Sequence, residues 1–216
     1  MKKVAVILAG CGVYDGAEIY ESVLTLLHIE QADAEYQCMA PNIEQMHVLD
    51  HRTGDEMPEQ RNVLTEAARI CRGQIMDLAE ANPNDYDALI IPGGFGAAKN
   101  LSDFAVQGAE CSINADVQAF VHAIHSAGKP VGLVCIAPAL APKLIGQGSQ
   151  CTIGNDADTA AAISSMGGQH VDCAVEDIVI DHNNKLVTTP AYMLAGRISE
   201  ASAGIQKLVQ QVVAMA

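Results

Sequence analysis

Gly132-Leu133-Val134-Cys135-Ile136-Ala137-Pro138 is the stretch on which the fold turns. An apolar run ends abruptly at a cysteine, and a helix begins within two residues. Pro138 suits the first turn of that helix, where its missing N–H costs nothing. Unbroken apolar runs suit strands buried on both faces, as in a parallel sheet. Two more lie upstream. Val4 to Ala9 ends in Gly10-Cys11-Gly12, and Asp87 to Ile91 runs straight into Pro92-Gly93-Gly94.

Helical spacing fills the gaps between these runs. It predicts helices over Asp15–Gln31, Asn62–Leu78, Ala115–Ala127, Ala137–Ile145, Ala157–Met166 and Tyr192–Met215. Tyr36 to Ala40 reads as a second strand closed by Pro41. Val171–Val175, Ile178–Asp181 and Leu186–Thr189 read as shorter strands, the first two paired antiparallel. Residues 42–60 are polar and form an excursion, with a short hairpin around His47 to His51. Strands alternating with helices predict a single α/β domain over residues 1–216. Its sheet is doubly wound, flavodoxin-like and mostly parallel, with helices on both faces and a site at the carboxyl ends of the strands.

Composition excludes several function classes. The 216 residues hold 12 Lys+Arg against 26 Asp+Glu, a formal net charge of −14. Nucleic acid is not the expected partner, because a phosphate backbone needs clustered basic residues. An anionic membrane surface is disfavoured for the same reason. No apolar run approaches the roughly 18 residues of a spanning helix. Lys2-Lys3 before Val4–Ala9 imitates a signal peptide, but no small-residue cleavage pattern follows, so a first buried strand is the reading. The 7 cysteines, at 11, 38, 71, 111, 135, 151 and 173, are odd in number and widely spaced. They form neither a disulfide framework nor a zinc pattern, and a reducing cytoplasm is expected. His47/His51 and His122/His125 have helical spacings but no supporting ligands, so no metal is expected.

Cys135 is the thiol in the most reactive setting. A side chain on a strand-to-helix elbow projects from the top of the sheet, as in nucleophile-elbow hydrolases. A helix N-terminus there would lower the thiol pKa. A buried core thiol is the plain alternative. After the strand ending at Ile91, the Gly93-Gly94 pair lets backbone approach closely, and its amides could form half of an oxyanion site. The amide of Ile136, just after Cys135, would form the other half. In the first loop, Asp15 and Glu18 have capping-box spacing, which gives Glu18 a structural role. Glu21, three residues further along the same face, has no cap to explain it and is the candidate acid or base.

Taken together, the glycine turn, the elbow cysteine and the first-helix glutamate resemble the DJ/PfpI superfamily, of the class I glutamine-amidotransferase-like fold. The stretches Gly10–Leu27, Pro92–Ser102, Cys135–Pro138 and Val187–Leu194 resemble its ElbB (ES1) family most, and the resemblance covers essentially the whole chain. Members of that family carry the name "isoprenoid biosynthesis protein with amidotransferase-like domain". The resemblance implies that Cys135 is the nucleophile, Glu21 its thiol-contacting partner, and Gly94 the glycine lining the oxyanion site.

Many superfamily members place a His after the strand that follows the elbow helix. Here that region reads Gln150-Cys151-Thr152-Ile153-Gly154-Asn155-Asp156, without one. Neither His170 nor His182 has a Glu two residues on. A Cys-His-Glu triad and ammonia-channelling glutaminase activity are therefore not expected. The family resembles glutathione-independent glyoxalases, so the resemblance implies a cofactor-independent glyoxalase-type lyase. It would turn glyoxal into glycolate, or methylglyoxal into lactate, through a cysteine hemithioacetal. Cys11, Asn100 and Tyr192 are candidate lining residues, and the resemblance favours a homodimer. The competing readings are a redox-sensing or chaperone-like regulatory protein, and a hydrolase of another small carbonyl or amide.

Overall fold

Three of the predicted runs form the centre of the sheet. In the computed structural model, which describes residues 1–216, strands β1 (Lys3–Ile7), β4 (Ala88–Ile91) and β5 (Val131–Val134) are buried almost throughout. Strand β2 (Glu35–Ala40) pairs with β1, and the short β3 (Ile75–Asp77) extends the sheet beyond it. On the other side stand β9 (Leu186–Thr189) and β8 (Val179–Asp181). The order is β3-β2-β1-β4-β5-β9-β8, parallel except for the β8–β9 pair. The fold is α/β, with a mostly parallel seven-stranded sheet.

Helices α1 (Ile19–Gln31), α2 (Val63–Ala67), α3 (Phe95–Lys99), α4 (Phe104–Gln107), α5 (Ala115–Ser126), α6 (Ala141–Leu144), α7 (Ala157–Ser165) and α8 (Ile198–Met215) connect and cover the strands. Strands β6 (Gln150–Cys151) and β7 (Gln169–His170) make a separate parallel pair. One cluster of 49 buried residues gathers side chains from nearly every element. From β1 the chain winds outward through β2 and β3, then returns to β4 beside β1 and winds the other way. The loops after β1 and β4 therefore diverge, and a crevice opens above that switch point.

Several elements depart from expectation. The helix expected over Asn62–Leu78 stops at Ala67. Arg72 (φ 56°) and Gly73 (φ 82°) turn the chain in the left-handed region, freeing β3 to pair with β2. Val171–Val175 forms no strand, and the antiparallel partner of β8 is β9. Helix α1 starts four residues later than Asp15: its N-cap is Glu18, whose carboxylate accepts the Glu21 amide at 2.6 Å. The segment after the elbow is a 3-10 turn (Ala137–Leu140) followed by the four-residue α6, each opened by a proline. A 3-10 turn over Ala191–Met193 likewise precedes α8.

The excursion is hairpin-like, with bridges Glu44–Asn62 and Leu49–Glu56 and a turn at Asp50–Gly54. Its first half is tied to the body of the protein at two points. Leu49 N–H donates to Asp15 Oδ2 at 2.8 Å, and Met46 N–H donates to Asn100 Oδ1 at 3.0 Å.

Candidate active site

Cys135 follows β5 with φ 63°, a left-handed conformation that costs energy for any residue with a Cβ. Its own amide still donates to Thr189 O at 2.9 Å, so the sheet ladder with β9 holds the strained residue in place. The result is a sharp elbow at the top of the sheet, with the side chain only 7% exposed.

Glu21 lies opposite, on the third residue of α1, and is fully buried. Its Oε2 accepts the Gly93 amide at 3.0 Å, and its Oε1 accepts the Tyr192 amide at 3.1 Å. The carboxyl also meets the Cys135 thiol. Burial, the largest influence, pushes Glu21 up from 4.5 to about 8. The Tyr192 amide opposes it, the Glu18 charge adds to it, and contacts with Cys135 and Gly93 lower it. Desolvation of the charged form thus outweighs the hydrogen bonds that favour it.

The thiol does not behave as the helix-dipole argument expects. Burial and then the Glu21 charge push Cys135 well above its ordinary value, while the Gly94 and Ile136 amides pull it down. The physical reason is that the elbow opens onto a 3-10 turn and a four-residue helix, which offer little dipole to offset desolvation. These influences favour the protonated thiol over the thiolate at Cys135, beside a carboxyl group whose pKa is also raised.

The glycine pair serves packing as much as chemistry. A Cβ on Gly93 would stand 2.3 Å from Cys135 Cβ and 2.6 Å from Glu21 Oε2. Gly94 has φ 94°, and a Cβ there would lie 2.3 Å from the Glu18 amide nitrogen. Absence of both side chains lets the β4 loop fit between α1 and the elbow.

Above the sulfur lies a pocket of about 440 Å³ lined by Val13, Gly94, Phe95, Cys135, Ile136, Asp156, Thr159, Tyr192 and Met193. The structure thus brings together Cys135, Glu21, Gly93, Gly94, Ile136 and Tyr192. It does not bring Cys11 or Asn100 to the wall. Asn100 is spent inside the protein: its Nδ2 donates to Ala9 O and Asp15 O, both at 2.9 Å, and its Oδ1 takes the Met46 amide. Cys11 lies toward Glu66, Arg69 and Arg61, and burial raises its pKa.

Asp156 and Thr159 were not singled out from the sequence. The available signal was their D-x-x-T spacing, which makes Asp156 the N-cap of α7 and aims its carboxylate at the Thr159 amide at 2.8 Å. The segment where many superfamily members place a His does border the pocket, but through this aspartate. No His lines the pocket. His170 accepts the Ile153 amide at 3.3 Å, and His47 faces Lys99 Nζ at 3.0 Å. No group of three or more His, Cys, Asp or Glu side chains gathers in a way that could hold a metal.

Comparison with known proteins identifies the family. Residues 2–193 match the model of the DJ-1/PfpI family. The human "Glutamine amidotransferase-like class 1 domain-containing protein 3, mitochondrial" is 46% identical over 220 residues, covering 97% of this chain and 82% of that protein. The zebrafish (Danio rerio) "ES1 protein, mitochondrial" is 35% identical over 207 residues, covering 88% of this chain and 76% of that protein. A crystal structure of an "isoprenoid biosynthesis protein with amidotransferase-like domain" from Ehrlichia chaffeensis superposes with a TM-score of 0.93 at 37% identity, covering 100% of this chain and 99% of that one. Drosophila melanogaster DJ-1beta, at 18% identity and TM-score 0.56, shares the fold alone. With the family model spanning most of the chain and these relatives matching along nearly all of it, the protein belongs to the DJ-1/PfpI family, in its ES1/ElbB-like branch.

Proposed function

We propose that the protein is a cofactor-independent glyoxalase-type enzyme acting on small α-oxoaldehydes, with Cys135 as nucleophile and Glu21 as the proton carrier. One observation carries the reading. A single buried carboxyl, held by two backbone amides and raised to about 8, faces the thiol at the floor of the pocket with no histidine beside it.

In its ionised form Glu21 takes the Cys135 proton as sulfur bonds to the aldehyde carbon, and that proton passes to the aldehyde oxygen. The product is a hemithioacetal. Glu21 then removes the hydrogen on that carbon and returns it to the neighbouring carbonyl carbon through an enediol. The Gly94 and Ile136 amides stabilise the oxygen charge that develops. The aldehyde carbon ends as a thioester, and the neighbouring carbon as an alcohol. Water cleaves the thioester, releasing glycolate from glyoxal or lactate from methylglyoxal and restoring the thiol. The net change is addition of one water, with one carbon oxidised and its neighbour reduced. A carboxyl with a pKa near the working pH is well matched to both proton transfers.

The redox-sensor reading loses support, because it favours a thiol of lowered pKa and burial raises that of Cys135. All seven cysteines are free thiols, which suits a reducing compartment such as the cytoplasm. No helix is long and apolar enough to cross a membrane. The reading includes a homodimer. Ile19, Val23 and Leu27, one turn apart along α1, are 43%, 47% and 43% exposed, and the Tyr20 ring beside them packs at a tilt against Tyr192 at the pocket edge. A second copy covering this stripe would bury it beside the site.

The test is formation of glycolate from glyoxal without glutathione, with Cys135→Ala and Glu21→Gln alongside. An inactive native protein, or a fully active Cys135→Ala, would refute the reading.

A further inference from the structure

Lys99 ends α3 in a half-buried position and has no carboxylate within ion-pair distance. Its ammonium donates to Tyr14 O at 2.7 Å and meets His47 Nε2 at 3.0 Å, partners that supply no negative charge. Asp15 is the nearest acid acting on it. Yet Asp15 Oδ2 already takes the Leu49 amide, and Oδ1 faces His51 at 3.7 Å. Withdrawing a cation from water without a counter-charge is costly. In a chain of net charge −14 it is also unusual, since carboxylates are plentiful. One of the three ammonium donors is unassigned.

That ammonium borders a cavity of about 300 Å³ lined by Tyr14, Leu49, Gly54, Phe95 and Lys99. The excursion builds one side of this cavity through Leu49 and Gly54. Phe95 belongs both to this cavity and to the Cys135 pocket, so the two meet across one ring. Phe95 directly follows Gly94, whose amide acts on the Cys135 sulfur, and Lys99 stands four residues on, on the same face of α3. The ammonium is 5.2 Å from the centre of the Phe95 ring. The Cys135 pocket holds no cation, and its rim carries Asp156. An anionic group is therefore repelled at the Asp156 end and attracted at the Lys99 end. Glyoxal alone would leave most of the 440 Å³ pocket empty.

We propose that Lys99, with Tyr14 and Phe95, forms a second subsite, and that the enzyme takes α-oxoaldehydes bearing a distal anionic group, the dicarbonyl end at Cys135 and the anion at Lys99. The proposal rests on the glyoxalase-type reading for its chemistry and adds the substrate class. The reaction balances as before: R–CO–CHO plus water gives R–CHOH–COOH. The sulfur–carbon bond formed at the aldehyde is broken by water, and no outside oxidant or reductant takes part. The apolar body of R lies along Phe95, and the charged end reaches the unassigned donor of Lys99.

The test compares kcat/KM for 4,5-dioxopentanoate with that for the uncharged 2-oxopentanal, in the full-length native protein, Lys99→Met and Lys99→Arg. Each ratio is internal to one variant, so a partial loss of folded protein cancels. We expect a ratio of at least about tenfold in the native protein, as for a hydrogen bond to a charged group. It should fall toward one in Lys99→Met and return in part in Lys99→Arg. A native ratio near one, or a ratio that Lys99→Met leaves unchanged, overturns the proposal while turnover of 2-oxopentanal keeps the parent reading intact. If neither aldehyde is turned over while glyoxal is, the proposal is overturned; if glyoxal is not turned over either, the parent reading fails. Calorimetric binding of the unreactive 4-oxopentanoate then decides the subsite separately: binding that Lys99→Met abolishes supports it, and absent or Lys99-independent binding overturns it.

Discussion

The Tyr192 amide donates to Glu21 Oε1 at 3.1 Å, joining residues 171 positions apart in the chain. Through this bond the turn after β9 helps to hold the carboxyl that α1 presents to Cys135. The Gly93 amide holds the other oxygen from the end of β4. The carboxyl's position therefore depends on three separate segments, α1, the end of β4 and the turn after β9, being in place at once.

Replacing Glu21 by Gln keeps the shape and one acceptor but removes the proton carrier. Glycolate formation from glyoxal should fall by roughly 10²–10⁴-fold, the usual contribution of a positioned acid–base group. A fall of less than tenfold in a variant with native circular dichroism would remove Glu21 from the proton transfers.

The pH dependence follows from the same group. Glu21 is raised from 4.5 to about 8 in the folded protein. Activity that needs its carboxylate should climb as pH rises toward and through about 8. Stability should move the other way. Between about 4.5 and 8 the folded state binds the extra proton, so the stabilisation present at low pH is lost as pH rises through the folded value. Glu21→Gln should flatten this part of the curve, as measured by urea unfolding at pH 5, 7 and 9.

Gly93→Ala tests the close fit of the β4 loop. The new Cβ would collide with Cys135 Cβ and the Glu21 carboxyl, so both reactive groups must move. Overpacking of this kind costs about 1–3 kcal/mol. Activity should fall far more than the folded fraction does, and an alanine variant with native turnover would contradict the geometry.

Asn100→Ala should act on stability. Its amide braces the first loop and the excursion through Ala9, Asp15 and Met46. Breaking these buried bonds should cost about 2–4 kcal/mol. Thermal unfolding should shift clearly downward, with most of the loss coming from the loop and excursion rather than from the pocket wall.

Val23→Asp on the exposed face of α1 tests the homodimer. Light scattering should give the mass of two chains for the native protein and of one chain for the variant. A native protein of one-chain mass would end that part of the proposal.

Local sequence was enough for most of the frame. The runs Val4–Ala9, Ala88–Ile91 and Gly132–Cys135 are apolar without interruption, and only a sheet covered on both faces accommodates such strands side by side. Helix α5 ends within a residue of where Gly128 places it. The elbow cysteine and the glycine pair were legible because abrupt strand ends and paired glycines are local features. Strand β3 was not: three residues carry no periodicity, and only pairing with Cys38–Ala40 makes them a strand. The false strand Val171–Val175 errs because its pairing is broken: Val171 N–H reaches Cys151 O and Cys173 N–H reaches Gly154 O, but no continuous ladder extends beyond β7.

The sequence by itself determined the order of the elements, the elbow that displays Cys135, and a glutamate on the first helix with no capping duty. Tertiary structure alone decided that Glu18 caps that helix and Glu21 faces the thiol. It also decided that burial raises the pKa of both Cys135 and Glu21, that Asp156 and Phe95 wall the pocket while Asn100 and Cys11 do not, and that Lys99 stands without a counter-charge. The reason is physical. Hydrophobic spacing reports what a residue's near neighbours require, whereas desolvation and hydrogen-bond partners depend on which distant segments pack against it.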